Sequence, residues 1–330
     1  MPVSSTLAIA ISAVAEACAV TRAVQTELQH LKTLTKDDFS PVTVADFAAQ
    51  AVVCLRLAKG LGHFALVGEE SASDLRETSR SSMAAAVTDA VRAIWPGVSV
   101  AEVLDAIDYG NHDATARSYW TLDPVDGTKG FLRGGQYAVS LALIDDGAVV
   151  AGVLGCPNLG ENFLRPFDQP DPEGTLFYAT AGGGAFSLAA TAAVTTARQI
   201  QIVTDRPQRA LRMCESVESG HSRLDSAYQI RQDLGVTVAP ARLDSQCKYA
   251  VVARGQADVY LRLPTRSDYV EKIWDHAAGA LIATEAGARV TDIDGRALDF
   301  SHGTGLSANR GIVCADPAIH PRLLEAIAAL

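Results

Sequence analysis

The order of apolar and polar positions divides the chain into helices, strands and turns before any chemistry is considered. Apolar residues recur at helical spacing over 5–32 and predict one long helix, and a second is expected to begin after Ser40-Pro41-Val42-Thr43. FALVGEE (64–70) reads as a short buried strand ending on two acids, and 81–94 reads as a helix. The apolar run Tyr119-Trp120-Thr121-Leu122 leads into an acidic loop, after which YAVSLALI and AVVAGVLGC flank Asp145-Asp146-Gly147, a hairpin signal. The glycine- and proline-rich stretch 156–186 predicts loop with short strands. From about 198 the pattern restarts: a strand near 200–204, a helix near 222–234, a helix from Ser245, the strand DVYLRL (258–263), a helix from Asp275, strands near 289–293 and 311–314, and a terminal helix.

Helices and strands alternate in both halves, which predicts an α/β fold of two lobes, 1–195 and 196–330, meeting near residue 195. Of the 330 residues 48% are hydrophobic and 20% charged, which excludes a disordered or fibrous chain. The net charge of -10 argues against a nucleic acid polymer or an anionic membrane as partner. An anionic substrate must then be held by metal ions or a few placed cations. No run approaches about eighteen consecutive apolar residues, and the segment from Leu7 to Val20 carries Glu16 and lacks the basic start of a secretion signal. The six cysteines (Cys18, Cys54, Cys156, Cys214, Cys247, Cys314) are scattered among apolar residues without C-x-x-C spacing. They read as buried thiols of a reducing compartment, the cytoplasm, and indicate neither a zinc site nor a disulfide framework.

Carboxylates gather where strands or loops end: Glu69-Glu70, Asp123 with Asp126, and Asp275. Hard divalent cations take oxygen ligands of this kind, with substrate phosphate and water completing the shell. Pro124 stiffens the turn so that Asp123, the Val125 carbonyl and Asp126 could converge, while Gly127 lets the backbone approach an anion. The amides of Gly127 and Thr128 could then meet a phosphate oxygen. Each feature also has a plainer reading. Asp126-Gly127 is a common turn pair, Asp275 falls where a helix N-cap is expected, Thr43-x-x-Asp46 resembles a capping box, and Glu69-Glu70 could be a solvated strand end. The D-x-D-G-T motif of haloacid-dehalogenase-type phosphatases does not fit, because the spacing here is D-x-x-D with proline directly after the first Asp.

Gly68-Glu69-Glu70, Asp123 to Thr128 and Trp274 to Gly279 stand in the order G-E-E, D-P-V-D-G-T, W-D-x-A-A-G. In this the chain resembles the lithium-sensitive, magnesium-dependent phosphatases of the inositol monophosphatase superfamily, and among them the 3′(2′),5′-bisphosphate nucleotidases. SPVTVADFAAQ (40–50), DPVDGTKGFLRGGQYAVSLALI (123–144), GHSRLD (220–225), LDSQCKYAVVARGQADVYLRLP (243–264) and YVEKIWDHAAG (269–279) carry the second likeness, which is weakest over 72–115 and 158–200.

The resemblance implies a layered α-β-α-β-α sandwich with the active site between two lobes. It implies two or three Mg2+ ions held by Glu69, Asp123, Asp126, Asp275 and the Val125 carbonyl, with Asp46 and Thr128 positioning and helping to deprotonate an attacking water. His221 and Ser245 would contact the nucleoside, and Lys248 and Arg262 a second phosphate. If 245–254 is helical, Ser245 and Lys248 point the same way; Lys248, Arg262 and His221 could equally be surface residues. The implied reaction is release of the 3′-phosphate of adenosine 3′,5′-bisphosphate by in-line attack of metal-activated water, as sulfur-assimilation housekeeping, with the sulfated nucleotide as a possible second substrate. An inositol phosphate 1-phosphatase and a non-catalytic metal or nucleotide sensor remain alternatives, and a monomer is expected.

Overall fold

The computed structural model describes residues 3–31, 41–202, 210–217, 224–266 and 268–330. Two long helices, α1 (Ser5–Leu31) and α2 (Pro41–Leu61), pack side by side and bury alanine, valine and leucine between them. The part of α1 from Ser5 to Leu28 is long and apolar enough to cross a membrane by length and composition. Its Ala10, Ile11, Val14, Ala17 and Cys18 are nevertheless buried in the core against α2 and a sheet, as in the central helix of a globular layer. Helix α2 already begins at Pro41, a residue suited to a first helical turn. Thr43 and Asp46 therefore lie inside the helix, and the capping-box reading of that pair fails.

The chain continues through β1 (Leu66–Gly68), α3 (Ser81–Arg92), α4 (Val100–Asp108), β2 (Ser118–Asp126), the short α5 (Thr128–Arg133), β3 (Ala138–Asp145), β4 (Ala148–Cys156), β5 (Thr175–Thr180), β6 (Gly184–Ala189) and β7 (Arg198–Ile200). These strands form one sheet in sequence order, with β1–β2 parallel and the rest antiparallel. The β3–β4 hairpin turns on Asp146 (φ 51°) and Gly147 (φ 76°), the left-handed pair that Asp-Gly supplies readily. Strand β7 keeps the first sheet running past residue 195 and ends at Ile200, so it lies slightly earlier than the strand expected near 200–204, of which 203 and 204 lie outside the described residues. Helix α4 has no counterpart in the sequence expectations, although Ser99 and Glu102 form a full capping box at its start.

Next come β8 (Met213–Glu215), α6 (Leu224–Asp233), β9 (Ala241–Arg242), α7 (Cys247–Ala253), β10 (Val259–Arg262), α8 (Ala277–Glu285), β11 (Arg289–Thr291), β12 (Ile312–Ala315) and α9 (His320–Ala328). They build a second sheet of order β11-β12-β10-β8-β9. Strand alternation sorts the side chains into layers. On β10, Val259 and Leu261 pack outward with α6 and α9, while Tyr260 packs inward with α7 and α8. On β5, Leu176 and Tyr178 face α1 and α2, while Phe177 and Ala179 face α7 and α8. Helices α1 and α2, the first sheet, α7 and α8, the second sheet, and α6 with α9 thus succeed one another as an α-β-α-β-α sandwich. The six cysteines are all buried and unpaired, as their apolar settings predict.

Candidate active site

Parallel pairing of β1 with β2 opposes Gly68 to Leu122, so Glu69 emerges beside Asp123. The loop after β1 is held by Gln50 of α2, whose Nε2 donates to the Glu70 carbonyl (2.6 Å) and the Ile107 carbonyl (2.8 Å) while its Oε1 accepts from the Glu70 amide (3.2 Å). In a regular strand, residues three apart face opposite sides. Here the β2–β3 register shifts between Asp123, opposite Ser140, and Asp126, opposite Ala138. Pro124 has no N–H for the ladder, and the extra residue of the bulge turns both carboxylates to one face. The Val125 amide donates to Asp123 Oδ1 at 3.1 Å, fixing the turn.

Gly127 follows with φ 89°, and a Cβ on it would lie 2.9 Å from Ser245 Cβ. Ser245 is itself left-handed at φ 68°, so the helix expected from Ser245 starts only at Cys247 and the helical-spacing argument for Ser245 and Lys248 does not apply. Both still line the cleft. Gln246 joins the end of β2, a 3-10 turn and the start of α8: its amide donates to Asp126 Oδ2 (2.5 Å), its Nε2 to the Trp274 carbonyl (2.8 Å), and its Oε1 accepts from the Gly279 amide (3.0 Å). Gly279 is required, because a Cβ there would come within 2.4 Å of the buried Tyr249 ring. Ser140 Oγ also donates to the Trp274 carbonyl at 3.3 Å. Asp275 is thereby brought to the bulge from the other half of the chain. It ends a 3-10 turn and α8 begins at Ala277, so Asp275 does not cap the helix as expected.

The result is a cleft of about 370 Å³ lined by Glu69, Asp123, Val125, Asp126, Gly127, Thr128, Ser245, Lys248, Arg262 and Asp275, together with Lys129, Asp244, Gln246, Tyr260 and Tyr269. Asp46 is buried behind it, within electrostatic reach of Glu69, Glu70 and Asp123. His221 lies outside the described residues. The carboxylates crowd one another. Burial, then Glu69, Asp126 and Asp275, push Asp123 well above the usual carboxylate range. Burial and Asp275 push Asp126 up to about 6 against the opposing pull of Lys248. Burial, then Glu70 and Glu69, raise Asp46 well above its ordinary value. Glu69 is raised by lost hydration and then by Asp275 and Glu70; because the residue as a whole is exposed, its acidic neighbours are the firmer cause.

Among the described residues, five lining carboxylates (Glu69, Asp123, Asp126, Asp244, Asp275) face three cations (Lys129, Lys248, Arg262), and Asp244 is paired with Arg133. Arg262 is already engaged, its Nε donating to Glu271 Oε1 at 2.8 Å. Such an excess of oxygen donors and negative charge suits hard divalent cations. Glu271, Asp275 and His276 also bring donor atoms within 4.8 Å of one another, but Glu271 is occupied by Arg262 and by His276 Nε2 at 3.2 Å. Glu271 and His276 are thus a hydrogen-bonded support, and Asp275 is the member of the trio that lines the cleft. Burial alone would raise Glu271; the His276 bond and the Arg262 guanidinium hold it below the usual value. The sequence expectations missed Gln50, Gln246, Glu271 and His276, although each stands inside a quoted motif.

Comparison with known proteins agrees with this architecture. The model of the Inositol monophosphatase family matches residues 3–330. The chain is 39% identical over 335 residues to the 3′(2′),5′-bisphosphate nucleotidase of Schizosaccharomyces pombe, covering 98% of this chain and 94% of that one. It is 43% identical over 317 residues to the protein of the same name from Emericella nidulans, covering 89% and 90%. Among solved structures it shares the fold of the extragenic suppressor protein suhB from Bartonella henselae (TM-score 0.62, 20% identity, 99% of this chain and 100% of that one). It also shares that of CysQ from Bacteroides thetaiotaomicron, a bacterial member of the inositol monophosphatase family (TM-score 0.59, 21% identity, 93% and 96%). With a family match running almost end to end and relatives of this identity over most of their length, the chain belongs to the inositol monophosphatase family.

Proposed function

We propose that this protein is a phosphomonoesterase that removes the 3′-phosphate of adenosine 3′,5′-bisphosphate, giving AMP and inorganic phosphate, and that it does so in the cytoplasm. The reading rests on one observation above the rest: a carboxylate cluster and two cationic side chains, Lys248 and Arg262, line a single cleft. A substrate with two phosphates can engage both groups, one phosphate through cations on the carboxylates and the other through Lys248 and Arg262. The names of the relatives from Schizosaccharomyces pombe and Emericella nidulans support the same substrate class.

Glu69, Asp123, Asp126, Asp275 and the Val125 carbonyl would hold two or three Mg2+ ions. When bound, these would offset the negative charge of the scissile phosphate and make a nearby water more acidic. Asp46 is a carboxylate buried behind the cleft and would accept the proton of the attacking water, and the Thr128 hydroxyl would relay it. Gly127 and Thr128 open α5 and would present their amides to a phosphate oxygen. Water attacks phosphorus in line with the ester bond, and the 3′-oxygen leaves with the shared electron pair. Lys248 and Arg262 would take the 5′-phosphate, and Ser245 the nucleoside. His221 is assigned to the nucleoside on its motif alone.

The test is phosphate release from adenosine 3′,5′-bisphosphate, inositol 1,4-bisphosphate and inositol 1-phosphate, each with magnesium and with EDTA. Magnesium-dependent turnover that favours the nucleotide is expected. A preference for an inositol phosphate would overturn the roles of Lys248 and Arg262, and no turnover would overturn the enzymatic reading altogether.

A further inference from the structure

Arg262 ends β10 on the inward face and meets a carboxylate that is not part of the acidic cluster. Its Nε donates to Glu271 Oε1 at 2.8 Å and its Nη2 lies 2.8 Å from Glu271 Oε2, a parallel two-pronged pair. The same Oε2 is 3.2 Å from His276 Nε2, and His276 Nδ1 is 3.0 Å from the Tyr249 hydroxyl. With Nε2–H donating to the carboxylate, Nδ1 is free to accept the phenolic proton. Tyr249 is fully buried, edge-on to Tyr260 at 4.9 Å and seated against Gly279. A continuous line of hydrogen bonds therefore runs from the cleft into the packed layer between the sheets.

A buried carboxylate beside a cation that is to bind phosphate is at first sight counterproductive, since it cancels charge. Its effect is geometric. Glu271 takes up the edge of the guanidinium formed by Nε and Nη2, and the Tyr269 hydroxyl also bonds the group, so that it is held to meet a phosphate in one orientation. We propose that Glu271, itself held by His276 and Tyr249, is a positioning residue that sets selectivity for the substrate's second phosphate through Arg262. This rests on the proposed role of Arg262 in holding that phosphate.

Charge and geometry predict opposite signs. If charge ruled, Glu271→Gln would tighten binding of a bisphosphate; if positioning rules, it weakens it. The experiment measures kcat and KM for adenosine 3′,5′-bisphosphate and adenosine 3′-monophosphate with wild type, Glu271→Gln, Arg262→Ala and the double variant. Glu271→Gln should raise KM for the bisphosphate about tenfold more than for the monophosphate, and should add nothing once Arg262 is alanine. Tighter binding, equal losses on both substrates, or an additive loss in the double variant would overturn the proposal while leaving the role of Arg262 standing, provided Arg262→Ala itself loses selectivity. If Arg262→Ala keeps full selectivity, both fall. Should Glu271→Gln not fold, Tyr249→Phe removes only the hydroxyl at the far end of the line. A selectivity loss of about twofold would then support the proposal, and unchanged selectivity would overturn it.

Discussion

Replacing Asp126 by asparagine should stabilise the metal-free protein while disabling it. In the absence of metal, burial and Asp275 raise Asp126 to about 6, against an ordinary value of 3.8. That gap corresponds to about 3 kcal/mol of unfavourable ionisation in the folded state. Asp126 is only partly buried, so screening by water reduces this to about 1.5–3 kcal/mol. Asparagine removes the charge and keeps an oxygen to accept the Gln246 amide, now bonded at 2.5 Å. With an unfolding entropy of about 2 cal/mol/K per residue over 330 residues, Tm in EDTA at pH 8 should rise by about 2–4 °C.

The sign with pH follows. Because the folded value is the higher one, the ionised carboxylate destabilises the fold fully above about pH 6, and that burden is lifted as the pH falls through 6 towards 3.8. The variant's advantage should therefore be largest at pH 8 and vanish near pH 4. Differential scanning calorimetry in EDTA and in magnesium reads both effects, and magnesium should stabilise wild type more than the variant. A variant that melts at or below wild type in EDTA at pH 8, or that keeps its full advantage at pH 4, would refute the claim that mutual repulsion in this cluster is what a cation relieves.

Three further outcomes are expected. Gly127→Ala forces a side chain into a left-handed position and to within 2.9 Å of Ser245, and should lower stability by about 1–2 kcal/mol in chemical denaturation as well as reduce kcat. Gln246→Ala deletes the side-chain bonds to Trp274 and Gly279 and should reduce stability by about 1–3 kcal/mol, with a loss of magnesium affinity visible in titrations monitored by Tm. Lys248→Met keeps the buried stem but removes the charge beside Asp126, and should weaken adenosine 3′,5′-bisphosphate more than the 3′-monophosphate in steady-state kinetics; equal losses would refute its role.

Much of this fold is legible where local rules coincide with burial. The β3–β4 hairpin follows from two apolar runs around Asp-Gly, and α1 from helical spacing of small apolar residues. Helix α4 is equally legible, since Ser99 and Glu102 carry a capping signal. Other features are set by contacts no local pattern encodes. Ser245 is left-handed where it lies against Gly127, a residue from a distant part of the chain. Gln50 and Gln246 read as ordinary polar residues, and only the fold shows each satisfying backbone groups far away in sequence.

The paired acids show why motif and local reading diverge. By strand periodicity Asp123 and Asp126 should face opposite sides of a sheet, and by turn chemistry Asp126-Gly127 is a turn. Neither rule alone puts both carboxylates in one cleft. Pro124 does, because it withholds a ladder donor at the point where the register of β2 on β3 slips by one residue. Ser140 sits opposite Asp123 at that slip and binds the Trp274 carbonyl, while Gln246 binds both the same carbonyl and Asp126. The bulge is thus one of the places where the two halves of the chain meet, beside the packing of α7 and α8 on the first sheet, and its hydrogen bonds hold the turn that carries Asp275. Burial first and then the neighbouring acids raise these carboxylates, and a cation held among them, as the proposed function requires, would offset both.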